Sequence, residues 1–194
     1  LDKSSMGASV AEALLAQPAS PLDGLPEFHG AGVYAIYYTG KLKAYSLLAA
    51  RNGSGEPSVP IHVGKAVPAG ARKGGQPNAC PGRVLHGRLA EHAESIRSAA
   101  NLSLADFHCR FLVVDDIWIP LGESLLIARF SPPWNSIVDG FGNHDPGRGW
   151  HAGMRPRWDV MHPGRAWAAK CRDRNESVGD IERDVATFLR NLLA

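Results

Sequence analysis

The run Gly32-Val33-Tyr34-Ala35-Ile36-Tyr37-Tyr38-Thr39, closed by Gly40, decides the fold. It is dense in aromatic and β-branched residues and bounded by glycine, which predicts a strand. Val59 to Gly64 predicts a second strand, and Arg51-Asn52-Gly53-Ser54-Gly55 reads as a turn before it, so the two runs pair as an antiparallel hairpin. Leu42 to Ala50 is expected to prolong the first strand beyond a bend.

Downstream, Lys65 to Pro81 is rich in Gly, Pro, Lys and Arg and longer than a connection needs, a mark of loops that bind something. Arg83 to Ala100 has helical composition, and Asp106 to Asp115 predicts a third strand with Phe107, Cys109, Phe111 and Val113 alternating against His108 and Arg110. Pro120 suits the first position of a helix that Ser131-Pro132-Pro133 stops after Phe130. Upstream, Ser9 to Gln17 predicts a short helix with Ser9 as cap and Glu12 at its third position, and Pro18, Pro21 and Pro26 then force an extended arm onto the core. Beyond Trp134 the chain is irregular until an amphipathic helix, about Val178 to Leu193, with Ile181, Val185, Phe188 and Leu192 on one face. The order strand, strand, helix, strand, helix is that of an α+β fold: a small three-stranded antiparallel sheet flanked by helices. Residues 1–194 are expected to form a single domain, with an N-terminal helical arm (1–30), a core (31–136) and an extension (137–194).

Hydrophobic content of 44% against 21% charged is that of a globular chain, and 194 residues suffice to bury a substantial core. Cys80, Cys109 and Cys171 are far apart and form no Cys-x-x-Cys pair, as expected of reduced thiols in a cytoplasm. The net charge is only +2, yet Lys41 to Ser98 carries nine Lys/Arg against three acids and Pro146 to Arg174 seven against two. Two basic blocks set in an otherwise acidic chain point towards a phosphate-bearing partner, nucleic acid above all.

Arg88 and His92 lie four apart on one helical face, where an arginine can clamp a phosphate and a histidine can move a proton. A solvent-facing polar stripe is the plain alternative. Glu123 stands in the first turn of an otherwise apolar helix, where it either meets the helix dipole or offers an oxygen to a hard divalent cation. Tyr34, Tyr37 and Tyr38 are ordinary strand residues taken singly, and His62 an ordinary half-buried histidine.

In order, Gly32-Val33-Tyr34, His62-Val63-Gly64 with Lys65 behind it, Arg88, Glu123, and Asn135 after Pro132-Pro133 resemble the motifs of the GIY-YIG nuclease superfamily. The likeness covers about residues 31–136. His62 stands where the superfamily has tyrosine, and histidine is a better proton carrier near neutrality but a different hydrogen-bond partner. Arg88-x-x-x-His92, Asp139 to Arg148 and Trp158 to Trp167 look like the branch of type II restriction endonucleases that cut a GC-rich palindrome.

The resemblance implies hydrolysis of double-stranded DNA by Tyr34, His62, Lys65, Arg88, His92, Glu123 and Asn135, with one Mg²⁺ (or Mn²⁺) held by Glu123. In that scheme Tyr34, acidified by its surroundings, or His92 together with Tyr34, deprotonates the attacking water, Arg88 stabilises the phosphoryl oxygens and Asn135 fixes a phosphate or orients the glutamate. Arg72, Lys73, Arg83, Arg148, Arg155, Arg157 and Arg165 are the candidates for contacts to bases and phosphates. A palindromic target implies a homodimer, and the family a bacterial cytoplasm. A repair or homing nuclease of the same superfamily, or a catalytically silent DNA-binding protein, are the alternatives.

Overall fold

The computed structural model describes residues 3–68, 82–145 and 152–194, with the side chains of the first segment described from residue 8. Its centre is strand β2 (Gly32–Tyr38), in which every residue is buried. A strand buried on both faces has to be apolar throughout, and Gly-Val-Tyr-Ala-Ile-Tyr-Tyr is. It pairs antiparallel with β3 (His62–Ala66) on one side and β4 (Phe107–Val113) on the other, as the hairpin reading anticipates.

The sheet has four strands rather than three, in the order β1-β4-β2-β3. The extra one, β1 (Ser20–Pro21), is two residues of the N-terminal arm set against Cys109 and His108. Two residues between prolines carry no periodicity, so no strand signal precedes them in the sequence.

The pleat of β2 divides the core. Tyr34, Ile36 and Tyr38 face one cluster, built with Leu85, Leu89 and Ile96 of α3 (Val84–Ser98) and Ile181, Val185 and Leu189 of α7 (Val178–Leu193). Val33, Ala35 and Tyr37 face the other, built with Val10 and Leu14 of α1 (Lys3–Leu15) and Ile119 and Leu126 of α4 (Ile119–Phe130). Burying each of these large side chains is worth about 1.5–3 kcal/mol, which is why the sheet sits between two helical layers. Pro120 lies in the first turn of α4, and the helix ends at Ser131 with φ 41° before Pro132. Helix α7 carries a full capping box between Ser177 and Asp180.

Several local expectations change. Leu42 to Ala50 is not strand: a 3₁₀ turn (Lys43–Tyr45) leads into α2 (Ser46–Asn52), because Leu and Ala favour helix and Tyr45 and Leu48 reach the core from it. Arg51 and Asn52 therefore close that helix rather than open a turn. The side chain of Asn52 donates to Tyr38 O and Val59 O and accepts from the amides of Ser58 and Val59, which fixes the approach to β3. The first helix starts at Lys3, so Ser9 is interior and not its cap.

In β4 the alternation fails at both ends of its polarity: Arg110 is buried and Val113 is 49% exposed. The Arg110 guanidinium spans from Gln17 O to Pro57 O and Glu56 and lies 5.0 Å over the Tyr37 ring, so its burial is fully paired. No helix among the described residues is long and apolar enough to cross a membrane. Cys109 and Cys171 are free and buried, and Cys80 lies outside the described residues.

Candidate active site

Glycine at position 64 makes room for the central feature. Gly64 sits directly across from Tyr34 in the β2–β3 register, and a Cβ there would collide with the Tyr34 ring and hydroxyl. With that space open, the ring crosses over β3 and its hydroxyl lies 2.6 Å from His92 Nε2 on α3. Tyr34 and His92 are each 1% exposed. His62, one pleat along β3 from Gly64, completes an aromatic triangle: its ring centroid is 6.0 Å from Tyr34 and 5.2 Å from His92.

The acidity of Tyr34 is the reverse of the expectation. Burial pushes its hydroxyl up to about 12, an effect that Arg88 only partly offsets and that the charges of Glu123 and Glu91 reinforce. Burial likewise holds His62 down to about 3, with the Arg88 charge acting in the same direction, and holds His92 well below 6.5, helped by His62 and Arg88. The pair is therefore a protonated phenol facing a neutral imidazole, and the Nδ1–H tautomer of His92 leaves Nε2 free to accept from the Tyr34 hydroxyl.

Arg88, one turn before His92, is half-buried at the mouth of this pocket. It donates to Gly142 O at 2.9 Å, to His144 Nε2 at 2.6 Å and to Glu91 at 3.1 Å. Its guanidinium thus lies where the helix face predicts, beside the hydroxyl–imidazole pair.

Glu123 and Lys65 meet on the other face of the sheet. Lys65 follows Gly64 and so points to the opposite side, where its Nζ lies 2.5 Å from Glu123 Oε2 on α4. Edge strand β3 thus turns His62 to Tyr34 of β2 and His92 of α3 on one side, and Lys65 to Glu123 of α4 on the other. The two groups communicate electrostatically, since the Glu123 charge raises the Tyr34 hydroxyl. Among the described residues no cluster of three His, Cys, Asp or Glu side chains could hold a metal ion. A hard cation at Glu123 would have a single carboxylate, which is compatible with magnesium when water and phosphate oxygens fill the rest of its shell.

Asn135, in the short helix α5 (Pro133–Ser136), turns its amide to the backbone of β3 next to His62. It accepts from Val63 N and donates to Val63 O, both at 2.8 Å, and so pins the backbone of β3 between His62 and Gly64. It acts on the site as a clamp.

The basic candidates divide. Arg72, Lys73 and Arg148 lie outside the described residues. Arg83 is exposed and pairs with Glu27. Arg155 pairs with Asp173 and donates to Ala168 O, each at 3.0 Å. Arg157 is held by Glu176, Asp184 and Ile137 O. Arg165 is 7% exposed and turned inward, with Asp159 and three backbone carbonyls as partners.

Two contributors lie in the stretch Asp139 to Arg148, which the sequence marks by resemblance without singling out either residue. The Phe141 ring stacks on His92 at 4.5 Å and an interplanar angle of 14°, and Gly142 supplies the carbonyl that holds Arg88. Both belong to an irregular segment without periodicity, and only its place in space reveals them.

The Eco29kI GIY-YIG domain family matches residues 26–189. No curated protein matches the chain. The matched stretch takes in the Tyr34 cluster, the Lys65–Glu123 pair and the segment beyond Trp134 alike, and the chain belongs to the Eco29kI family of GIY-YIG restriction endonucleases.

Proposed function

We propose that the protein is a type II, site-specific restriction endonuclease that hydrolyses phosphodiester bonds in double-stranded DNA. The observation that carries this reading is the 2.6 Å contact between the Tyr34 hydroxyl and His92 Nε2, with Arg88 beside it, inside a family of DNA-cutting domains.

A buried neutral imidazole cannot attack phosphorus through a phenol, but it can draw the phenol's proton. In this mechanism Tyr34 takes a proton from the attacking water as its own passes to His92 Nε2. The positive charge that forms on His92 is disfavoured by burial in the free protein and is compensated when an anionic phosphodiester enters. Arg88 exchanges its contacts with Glu91 and His144 for the phosphoryl oxygens, where a guanidinium can donate two parallel hydrogen bonds. Lys65, a third exposed, leaves Glu123 to meet the same phosphate. Glu123 would hold a magnesium or manganese ion, which when bound supplies Lewis-acid stabilisation of the leaving oxygen. Asn135 keeps the backbone around Gly64 fixed throughout.

Sequence reading falls to the basic segments around the core, Lys73, Arg72 and Arg148 among them, and arginine pairs with guanine in the major groove at about 1–3 kcal/mol of discrimination each. A GC-rich palindrome, a homodimer and a bacterial cytoplasm complete the proposal.

The test is cleavage of plasmid DNA by purified protein with Mg²⁺, with EDTA, and by Glu123→Gln. Discrete fragments that require the metal, lost in Glu123→Gln while a gel-shift in Ca²⁺ is unchanged, support the reading. Nicks or smears favour a repair-type nuclease. Retardation without cutting under any divalent metal overturns catalysis altogether.

A further inference from the structure

A buried arginine with all five N–H donors engaged lies directly behind the Arg88–His92 face. Arg165 Nε donates to Asp159 Oδ1 at 2.7 Å and Nη2 to Oδ2 at 2.6 Å, a bidentate pair in which Asp159 is itself 3% exposed. The remaining donors go to three carbonyls of one short segment: Gly140 O at 2.8 Å, Phe141 O at 3.0 Å and Asn143 O at 3.0 Å. Two indoles face the guanidinium, Trp158 at 4.5 Å and Trp167 at 4.8 Å from its carbon.

The carbonyl that Arg165 does not take is that of Gly142, and it accepts from Arg88 Nη2 instead. The segment therefore hangs between two arginines, one buried and one at the mouth of the pocket. It touches the reacting groups at a second point, because the Phe141 ring stacks on His92. The segment is tight at Gly140, which adopts φ +101°, a backbone that side chains rarely take, and where a Cβ would collide with Pro156 Cβ.

We infer that Arg165 is a positioning residue for catalysis, which sets the placement of Arg88 and His92 through the 140–143 segment. This rests on the proposed reaction, in which those two residues are the phosphate clamp and the proton acceptor. Lysine cannot replace it: an ammonium has three donors, none in a fixed plane, and would leave carbonyls of the segment unpaired and the two indoles without a flat partner. A displacement of about 1 Å at reacting groups costs about 100-fold in rate, so loosening this support is read in catalysis before it is read in folding.

Two variants test it. Arg165→Lys keeps the charge beside Asp159 but frees the segment, and Phe141→Leu keeps Arg165 but removes the stacked ring. Each is compared with wild type in single-turnover cleavage, in DNA affinity measured with Ca²⁺, and in the ¹H–¹³C resonances of labelled histidine, where His92 reports the stacked ring. The expected result is a fall of about 100-fold in the cleavage rate constant at unchanged affinity, with the His92 resonance displaced in both proteins. A folded Arg165→Lys protein with wild-type cleavage and an unmoved His92 resonance overturns the inference while leaving the nuclease reading intact. If wild type itself cuts no DNA, the nuclease reading fails and takes the catalytic role of Arg165 with it. Should Arg165→Lys not fold, Asp159→Asn, which loosens the same guanidinium at constant volume, is judged by the same two outcomes.

Discussion

Gly64→Ala is the sharpest perturbation of the pocket, because it adds one methyl and nothing else. Gly64 has no left-handed backbone to lose, so the effect is steric alone. The new Cβ would stand 2.5 Å from Tyr34 Cζ and closer still to the hydroxyl, against the roughly 3.5 Å at which carbon atoms rest in contact. The ring must move by about 1 Å, and being 1% exposed it has no open side to move into. Overpacking of this kind costs about 1–3 kcal/mol of stability. The 2.6 Å bond to His92 breaks with the same movement, and misplacement on that scale costs about 100-fold in rate, equal to about 2.7 kcal/mol of barrier. Single-turnover cleavage and a urea melt, run side by side, measure the two effects separately. Gly87→Ala is the control: it lies on α3 one residue from Arg88, nothing stands within 4 Å of its Cβ, and it should be neutral or stabilising. A folded Gly64→Ala protein that cleaves at the wild-type rate would refute the assignment of Tyr34 and His92 as a working pair.

Tyr45→Phe removes the hydroxyl that accepts from Trp134 Nε1 and meets His162 Nε2, each at 2.8 Å. It should cost about 1–3 kcal/mol in a thermal or urea melt, since a buried indole N–H loses its acceptor, while cleavage per folded molecule stays unchanged. Stability should fall with acid: His62, His92 and His162 are buried with proton affinities below the usual 6.5, His62 and His162 at about 3. The stability contributed by keeping them neutral is complete above about pH 6.5 and is lost as pH drops towards 3, by up to about 1.4 kcal/mol per pH unit for each histidine. Urea midpoints that do not change between pH 7.5 and 5 would contradict this burial.

The strands and long helices were legible because each owes its form to local pattern. Gly32 to Tyr38 is β-rich along its length, α3 and α7 repeat apolar residues at helical spacing, and proline marks the start of α4. Leu42 to Ala50 misled because a short apolar run looks alike as strand or helix, and only the docking of Tyr45 and Leu48 selects the helix. Arg110 could not be read as buried, since its partners Gln17, Glu56 and Pro57 come from distant parts of the chain. The same holds for the site. Spacing puts Arg88 and His92 on one helical face, where a polar stripe reads the same, and only the order of the motifs singles them out, whereas the support from Phe141, Gly142 and Arg165 depends on long-range contacts that no window of sequence contains. Tyr34 lies on the strand that its sequence predicts, but its acidity was not legible, because burial outweighs the neighbouring guanidinium, and burial is a property of the folded molecule.

The free margins of the sheet bear on how two copies could join. At one margin the amide of Asn135 and the backbone of Trp134 already satisfy β3 at Val63 and Ile61, and at the other β1 is only two residues long and ends in Pro21, which has no N–H to offer. Among the described residues each border is thus closed in part to a further strand, which narrows the ways in which a second copy could add to the sheet.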